Sequence, residues 1–180
     1  MRITKHAAGL GGVLALAIAL EVQAETISVP IHMVDVAGNA KPLGVITITS
    51  TADGVMFSPN LEGLPPGAHG FHVHEKGSCD PAVDPKTGDV VPAQAAGGHL
   101  DPDKTGQHEG PVGHGHLGDL PVLTADATGK VSSPVVAPRL KMSDLPGHTL
   151  MIHGGGDNYS DSPKALGGGG ARIACGVIPL

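Results

Sequence analysis

An all-β sandwich or barrel carrying two long loops is the fold this sequence predicts, and three observations lead to it. Short β-branched runs alternate apolar and polar residues with a period of two, as where Ile46 and Ile48 alternate with Thr47 and Thr49. Turn chemistry recurs between these runs, and after residue 24 no helical period of useful length appears. Two glycine-rich stretches, 76–119 and 154–170, show neither period, yet the first concentrates histidines and both hold carboxylates. Loops of that length inside a compact domain are uncommon unless they carry function or are disordered. The 28 glycines and 16 prolines in 180 residues raise disorder as an alternative. The β-branched runs argue against it.

The first residues read as an export signal. Arg2 and Lys5 give a basic start, Leu10 to Leu20 is a short apolar run, and Val22-Gln23-Ala24 is a small-residue cleavage site. The apolar run is too short to span a bilayer comfortably. Cleavage after Ala24 is expected, leaving one domain over residues 25–180, exported and not held in a membrane. The cleaved segment carries two cations and one anion, so the formal net charge goes from -6 to -7. An acidic chain without a basic cluster excludes nucleic acid as a partner.

Thr26 to Val36 and Leu43 to Thr51 read as paired strands joined around Gly38-Asn39. Asp53-Gly54 is a hairpin signal leading into Val55-Met56-Phe57. Leu64-Pro65-Pro66-Gly67 is a turn before a strand over Phe71 to Glu75. Strand signals return at Leu120 to Thr124 and Val131 to Leu140, where Pro134 and Pro138 favour an edge or irregular strand. His148 to His153 and Arg172 to Ile178 complete seven or eight strands. Aromatics are few (Phe57, Phe71 and Tyr159), so the core must be mostly Val, Ile, Leu and Ala. Cys79 and Cys175, an even count in an exported chain, favour one disulfide.

Histidines carry the chemistry. In Phe71-His72-Val73-His74 the two imidazoles share one strand face and the apolar pair takes the other. His153 likewise lies opposite Leu150 and Ile152. His99, His108, His114, His116 and Asp119 fall in the first long loop. His32, His69 and His148 read as ordinary strand or turn residues. Tetrahedral zinc takes four N/O/S ligands and copper(II) favours several imidazoles, so the remaining set exceeds what one metal needs. Two adjacent metals is the economical reading; a solvated histidine-rich loop with incidental metal affinity is the alternative.

GFHVHE, GGHLDP, TGQHEGP, GHLGDLP, MIHGGGDNYSD and LGGGGARIACGVI together resemble the motif set of copper,zinc superoxide dismutases in their bacterial periplasmic form. The resemblance covers most of residues 25–180. It implies a flattened eight-stranded Greek-key barrel with the metals held outside it by the two loops. It implies His72, His74, His99 and His153 as copper ligands, and His99, His108, His116 and Asp119 as zinc ligands, His99 bridging the two. One copper ion and one zinc ion per chain follow. Asp157 would orient ligands of both metals, Arg172 would sit beside the copper, and Cys79 and Cys175 would be the family disulfide. His114 has no implied role and reads as a surface residue.

The implied activity is an oxidoreductase reaction. Superoxide is disproportionated to oxygen and hydrogen peroxide by cycling of a copper ion bridged through His99 to a structural zinc, an antioxidant defence in the periplasm. Arg172 and His99 are the implied catalytic residues, and superoxide is the substrate. Lys76, Lys86 and Lys164 could add positive field in the loops, or be ordinary surface charges. The sequence leaves a homodimer open. Two other classes remain: a metal-buffering protein with the same site and no turnover, and a structural sandwich that binds no stoichiometric metal.

Overall fold

A computed structural model describes residues 25–180. The expected signal segment and its cleavage point lie outside the described residues. Among the described residues twelve strands follow in chain order: β1 (Thr26–Asp35), β2 (Gly38–Thr51), β3 (Gly54–Glu62), β4 (Gly67–His69), β5 (Phe71–His74), β6 (Ala82–Val83), β7 (Val90–Val91), β8 (Leu123–Ala125), β9 (Lys130–Val131), β10 (Val135–Ala137), β11 (Thr149–His153) and β12 (Arg172–Val177). Helical structure among the described residues is limited to three short 3-10 turns. No helix among them is long and apolar enough to cross a membrane.

The main sheet is antiparallel, in the order β10-β3-β2-β1-β12-β11-β5, with β9 also paired to β3. A separate ladder joins β4 to β8, in register Gly67↔Ala125 to His69↔Leu123. Since β4 leads directly into β5 and β8 into β9, that ladder ties one end of the sheet to the other. The sheet therefore curls back on itself, and closure removes most of the free edge that an open sheet exposes. β10, flanked by Pro134 and Pro138, sits at the end of the order, as those prolines predict.

Alternation decides what faces inward. Ile46 and Ile48 on β2, and Val55, Phe57 and Leu61 on β3, are buried, while Thr47 and Thr49 are only half-buried. Phe57 and Phe71 meet edge to face at 5.5 Å in the middle of this core. Each such side chain contributes roughly 1.5–3 kcal/mol on burial. The β1–β2 turn falls on Val36-Ala37, with Gly38 already in β2, slightly earlier than the Gly38-Asn39 pair suggests. There the Asp35 carboxylate accepts a hydrogen bond from Ala37 N at 2.7 Å, and Gly38 takes a φ of 116°. The expected strand over Val131 to Leu140 is split: only Lys130–Val131 and Val135–Ala137 pair.

Cys79 is bonded to Cys175 across a separation of 96 residues. In the chain-entropy model such a closure is worth about 4–5 kcal/mol. The bridge packs with Ala93, Ala96 and Met151 in a second small apolar cluster, fastening the 76–97 segment to β12. That segment also contains the β6–β7 hairpin, which hydrophobic periodicity does not reveal in two-residue strands.

Candidate metal centre

Two strands supply the framework. β11 pairs with β5 so that Met151 lies opposite His72 and Thr149 opposite His74. Phe71 and Val73 enter the core, while His72 and His74 emerge on the other face and are covered by the loops, 0 % and 1 % exposed. His153 ends β11, its N–H donating to Gly70 O at 2.9 Å. Isolated bridges bring the first long loop against the same strand, His99 beside His74 and Asp119 beside His72. His108, His116 and Asp119 are buried too, so a loop of polar residues becomes an interior.

Almost every imidazole is held by one nitrogen and leaves the other aimed inward. His72 Nε2 meets Asp157 Oδ2 at 2.8 Å, His74 Nδ1 meets Gly97 O at 3.0 Å, and His153 Nδ1 meets Gly170 O at 3.1 Å. His108 Nε2 meets Asp157 Oδ1 at 2.8 Å. The opposite nitrogens, His72 Nδ1, His74 Nε2, His99 Nε2, His108 Nδ1, His116 Nδ1 and His153 Nε2, are buried without a hydrogen-bond partner. Six orphaned buried nitrogens in one place would be costly in a finished protein. Bound metal ions would satisfy such nitrogens.

The donors fall into two groups. In each, the candidate ligand atoms lie within 4.8 Å of one another: His72, His74, His99 and His153 in one, and His72, His99, His108 and Asp119 in the other. His99 belongs to both. Asp119 Oδ1 lies 2.9, 3.0 and 3.4 Å from Nδ1 of His99, His108 and His116. Four ligands around zinc lie roughly 3.3 Å apart along the edges of the tetrahedron. The contacts around Asp119 have that scale, and they bring in His116. His72 falls in the second group by proximity, but its outer nitrogen is committed to Asp157.

Burial decides the protonation state of the first group. His72 is lowered to about 3 and His153 to about 4, burial being the main cause in both, with neighbouring histidines adding repulsion to any charge. His74 and His99 are lowered for the same leading reason. These imidazoles are neutral at pH 7, the form that binds metal. His108 goes the other way: burial opposes its charge, but the carboxylates of Asp119 and Asp157, 3.0 and 2.8 Å from its two ring nitrogens, outweigh burial and raise it to about 9. Burial also opposes ionisation of Asp119 and Asp157, yet their histidine partners hold both carboxyls well below the usual range.

Arg172 opens β12 opposite His153. Its Nη1 donates to Ala93 O and its Nη2 to Gly97 O, both at 2.6 Å. The Gly97 carbonyl therefore orients His74 and Arg172 together. Gly167, at φ 67°, lies so close to Asp157 and His108 that a Cβ would overlap the Asp157 carboxylate. His114 is exposed and outside the cluster, as are Lys76, Lys86 and Lys164. Of the three histidines expected to be structural, His69 is buried with Nδ1 2.8 Å from His153 O and Nε2 2.7 Å from Pro65 O. Sequence reading missed the orienting carbonyls of Gly97 and Gly170, because a main-chain acceptor has no residue-type signature.

A curled antiparallel sheet with a buried histidine–carboxylate cluster in two groups, each able to hold a metal ion, defines the class of a metal-binding β-protein. Residues 43–178 match the family model described as copper/zinc superoxide dismutase. The chain is 53% identical over 167 residues to the Cu-Zn superoxide dismutase of Escherichia coli K12, covering 92% of this chain and 95% of that protein. Among solved structures it is similar to the Cu/Zn superoxide dismutase from Brucella abortus, with a TM-score of 0.83, 52% identity and coverage of 86% and 99% of the two chains. The solution structure of the monomeric enzyme from Salmonella enterica matches at a TM-score of 0.76 and 52% identity, over 86% and 99%. The chain belongs to the copper/zinc superoxide dismutase family, whose members are oxidoreductases that bind copper and zinc.

Proposed function

We propose that the buried cluster disproportionates superoxide, two anions and two protons giving one oxygen and one hydrogen peroxide, with His72, His74, His99 and His153 holding copper and His99, His108, His116 and Asp119 holding zinc. The observation that supports this reading is the set of six orphaned nitrogens, one on each of the six candidate imidazoles; His99 joins the two groups, with its Nδ1 on Asp119 Oδ1 and its Nε2 unpartnered. Copper, when bound, supplies one-electron redox chemistry that zinc lacks. The chain does the rest. Asp157 holds His72 and His108 at once, fixing the two halves against each other. Arg172, always charged, attracts the small anion toward a protein whose net charge would otherwise repel it. His99 Nε2, buried and close to His72 and His74, is the atom at which a proton can be held and delivered when it is not a ligand.

Residues 25–180 as the mature periplasmic enzyme, released by cleavage after Ala24, is supported by the signal pattern and by the bacterial relatives. An intact mass beginning at Glu25 is expected; a chain retaining earlier residues refutes the cleavage. A monomer is in keeping with the monomeric Salmonella enzyme, and a homodimer is the alternative that sedimentation distinguishes. The deciding experiment measures metal content and superoxide consumption on one purified sample. One copper, one zinc and rapid consumption are expected. Both metals with no turnover would favour a metal-buffering protein, and no stoichiometric metal would refute both readings.

A further inference from the structure

Arg139 carries a role that the cluster itself does not display. It lies two residues beyond β10 and is half-buried, and its Nη2 donates to Gly115 O at 2.7 Å while its Nη1 donates to His116 O at 3.1 Å. Among the described residues no carboxylate lies within 4.0 Å of this guanidinium. Its charge is therefore directed at the two carbonyls. Arg172 binds the Ala93 and Gly97 carbonyls in the same way on the other side of the cluster.

His72, His74, His108 and His153 each have an outer ring nitrogen in a hydrogen bond, to Asp157, Gly97 O, Asp157 and Gly170 O. His116 has no such bond among the described residues. Metal-binding histidines nearly always have that outer contact, and it fixes the ring. In its absence the ring direction depends on the backbone. That backbone is held on all sides: His116 N donates to Gln107 O at 2.9 Å, His116 O accepts from Asp119 N at 3.4 Å and from Arg139, and Gly115 is pressed against the Gln107 carbonyl where a Cβ would overlap it.

We propose that Arg139 is a positioning residue for the zinc half of the site, orienting His116 through its main chain as Asp157, Gly97 and Gly170 orient the other rings directly. This rests on the reading of His116 as a zinc ligand. The test is zinc retention against a competing chelator in copper- and zinc-loaded protein, together with the visible spectrum of protein carrying cobalt(II) in place of zinc. Arg139→Met, which keeps the side-chain bulk without donors, should weaken zinc about 10-fold, the low end for loss of an outer contact. It should shift the cobalt bands and leave copper retention unchanged. Arg139→Lys should restore part of the zinc affinity.

Unchanged zinc retention and cobalt bands in Arg139→Met overturn the proposal. So does an equal loss of both metals with an equal fall in the melting temperature of the metal-free protein, which marks general support of the fold. His116→Ala separates the two readings. If it leaves zinc retention intact, the ligand assignment fails; if it weakens zinc while Arg139→Met does not, only the role of Arg139 fails.

Discussion

His72, His74 and His153 stand on two hydrogen-bonded strands, whereas His108, His116 and Asp119 hang on the 97–122 stretch of the first loop, which contributes no strand. The strand-borne half gets its ring positions from the register of β5 and β11, which the apolar residues between the histidines lock into the core. The loop-borne half gets its positions from single contacts: Asp119 Oδ2 accepting from Glu109 N and Gly110 N, His108 N donating to Asp161, and Gly118 tied to Leu100. The contrast teaches that one site can rest on two kinds of support. A register fails only if the sheet fails, while a set of loop contacts can be loosened one at a time.

His99 is where the two halves meet, so its loss gives the largest expected effect. His99→Ala should reduce superoxide consumption by more than about 100-fold, beyond the range for outer contacts, and perturb retention of both metals. If one metal remains at wild-type affinity, His99 does not join the halves.

Next in size is the pair that separates them. His153→Ala should weaken copper and activity while zinc largely stays, and Asp119→Ala should weaken zinc first while copper largely stays. Metal analysis after dialysis reads both. Indistinguishable patterns in the two variants would show that the division of ligands is wrong.

Acid should separate the halves without a mutation. A histidine with a raised pKa in the metal-free chain must give up a proton to bind metal, so protons compete for it at higher pH; a lowered pKa delays that competition. With His108 raised to about 9 and His72 and His153 lowered to about 3 and 4, zinc should leave at a higher pH than copper as the solution is acidified. Release of copper first, followed by metal-specific dyes, would reverse the order and break the contrast.

The smallest expected effect lies outside both halves. Arg172→Ala should lower the rate constant with both metals retained, and Arg172→Glu should lower it further. Added salt should slow the wild type, since exposed charges are screened beyond roughly 8 Å at physiological ionic strength. It should slow Arg172→Glu less. Parallel salt dependence and equal rates in all three proteins would remove Arg172 as the guide.

Periodicity, turn residues and the apolar partners of His72, His74 and His153 were enough to read an all-β chain and a strand-borne histidine face, because a period of two links each residue to a side of the sheet. The family resemblance carried by six motifs implied the loop ligands and the disulfide partners. Where the reading stopped, contacts between residues distant in sequence took over. The β4–β8 ladder that curls the sheet closed, the split of the 131–140 segment into β9 and β10, and the β6–β7 hairpin rest on pairings too short to leave a pattern. The sequence by itself determined which residue types were available to two metals. Only the tertiary structure decided which nitrogen of each ring faces inward, because that choice is made by carbonyls at Gly97 and Gly170 and by one carboxylate, Asp157, reaching across 49 and 85 residues to hold two histidines at once.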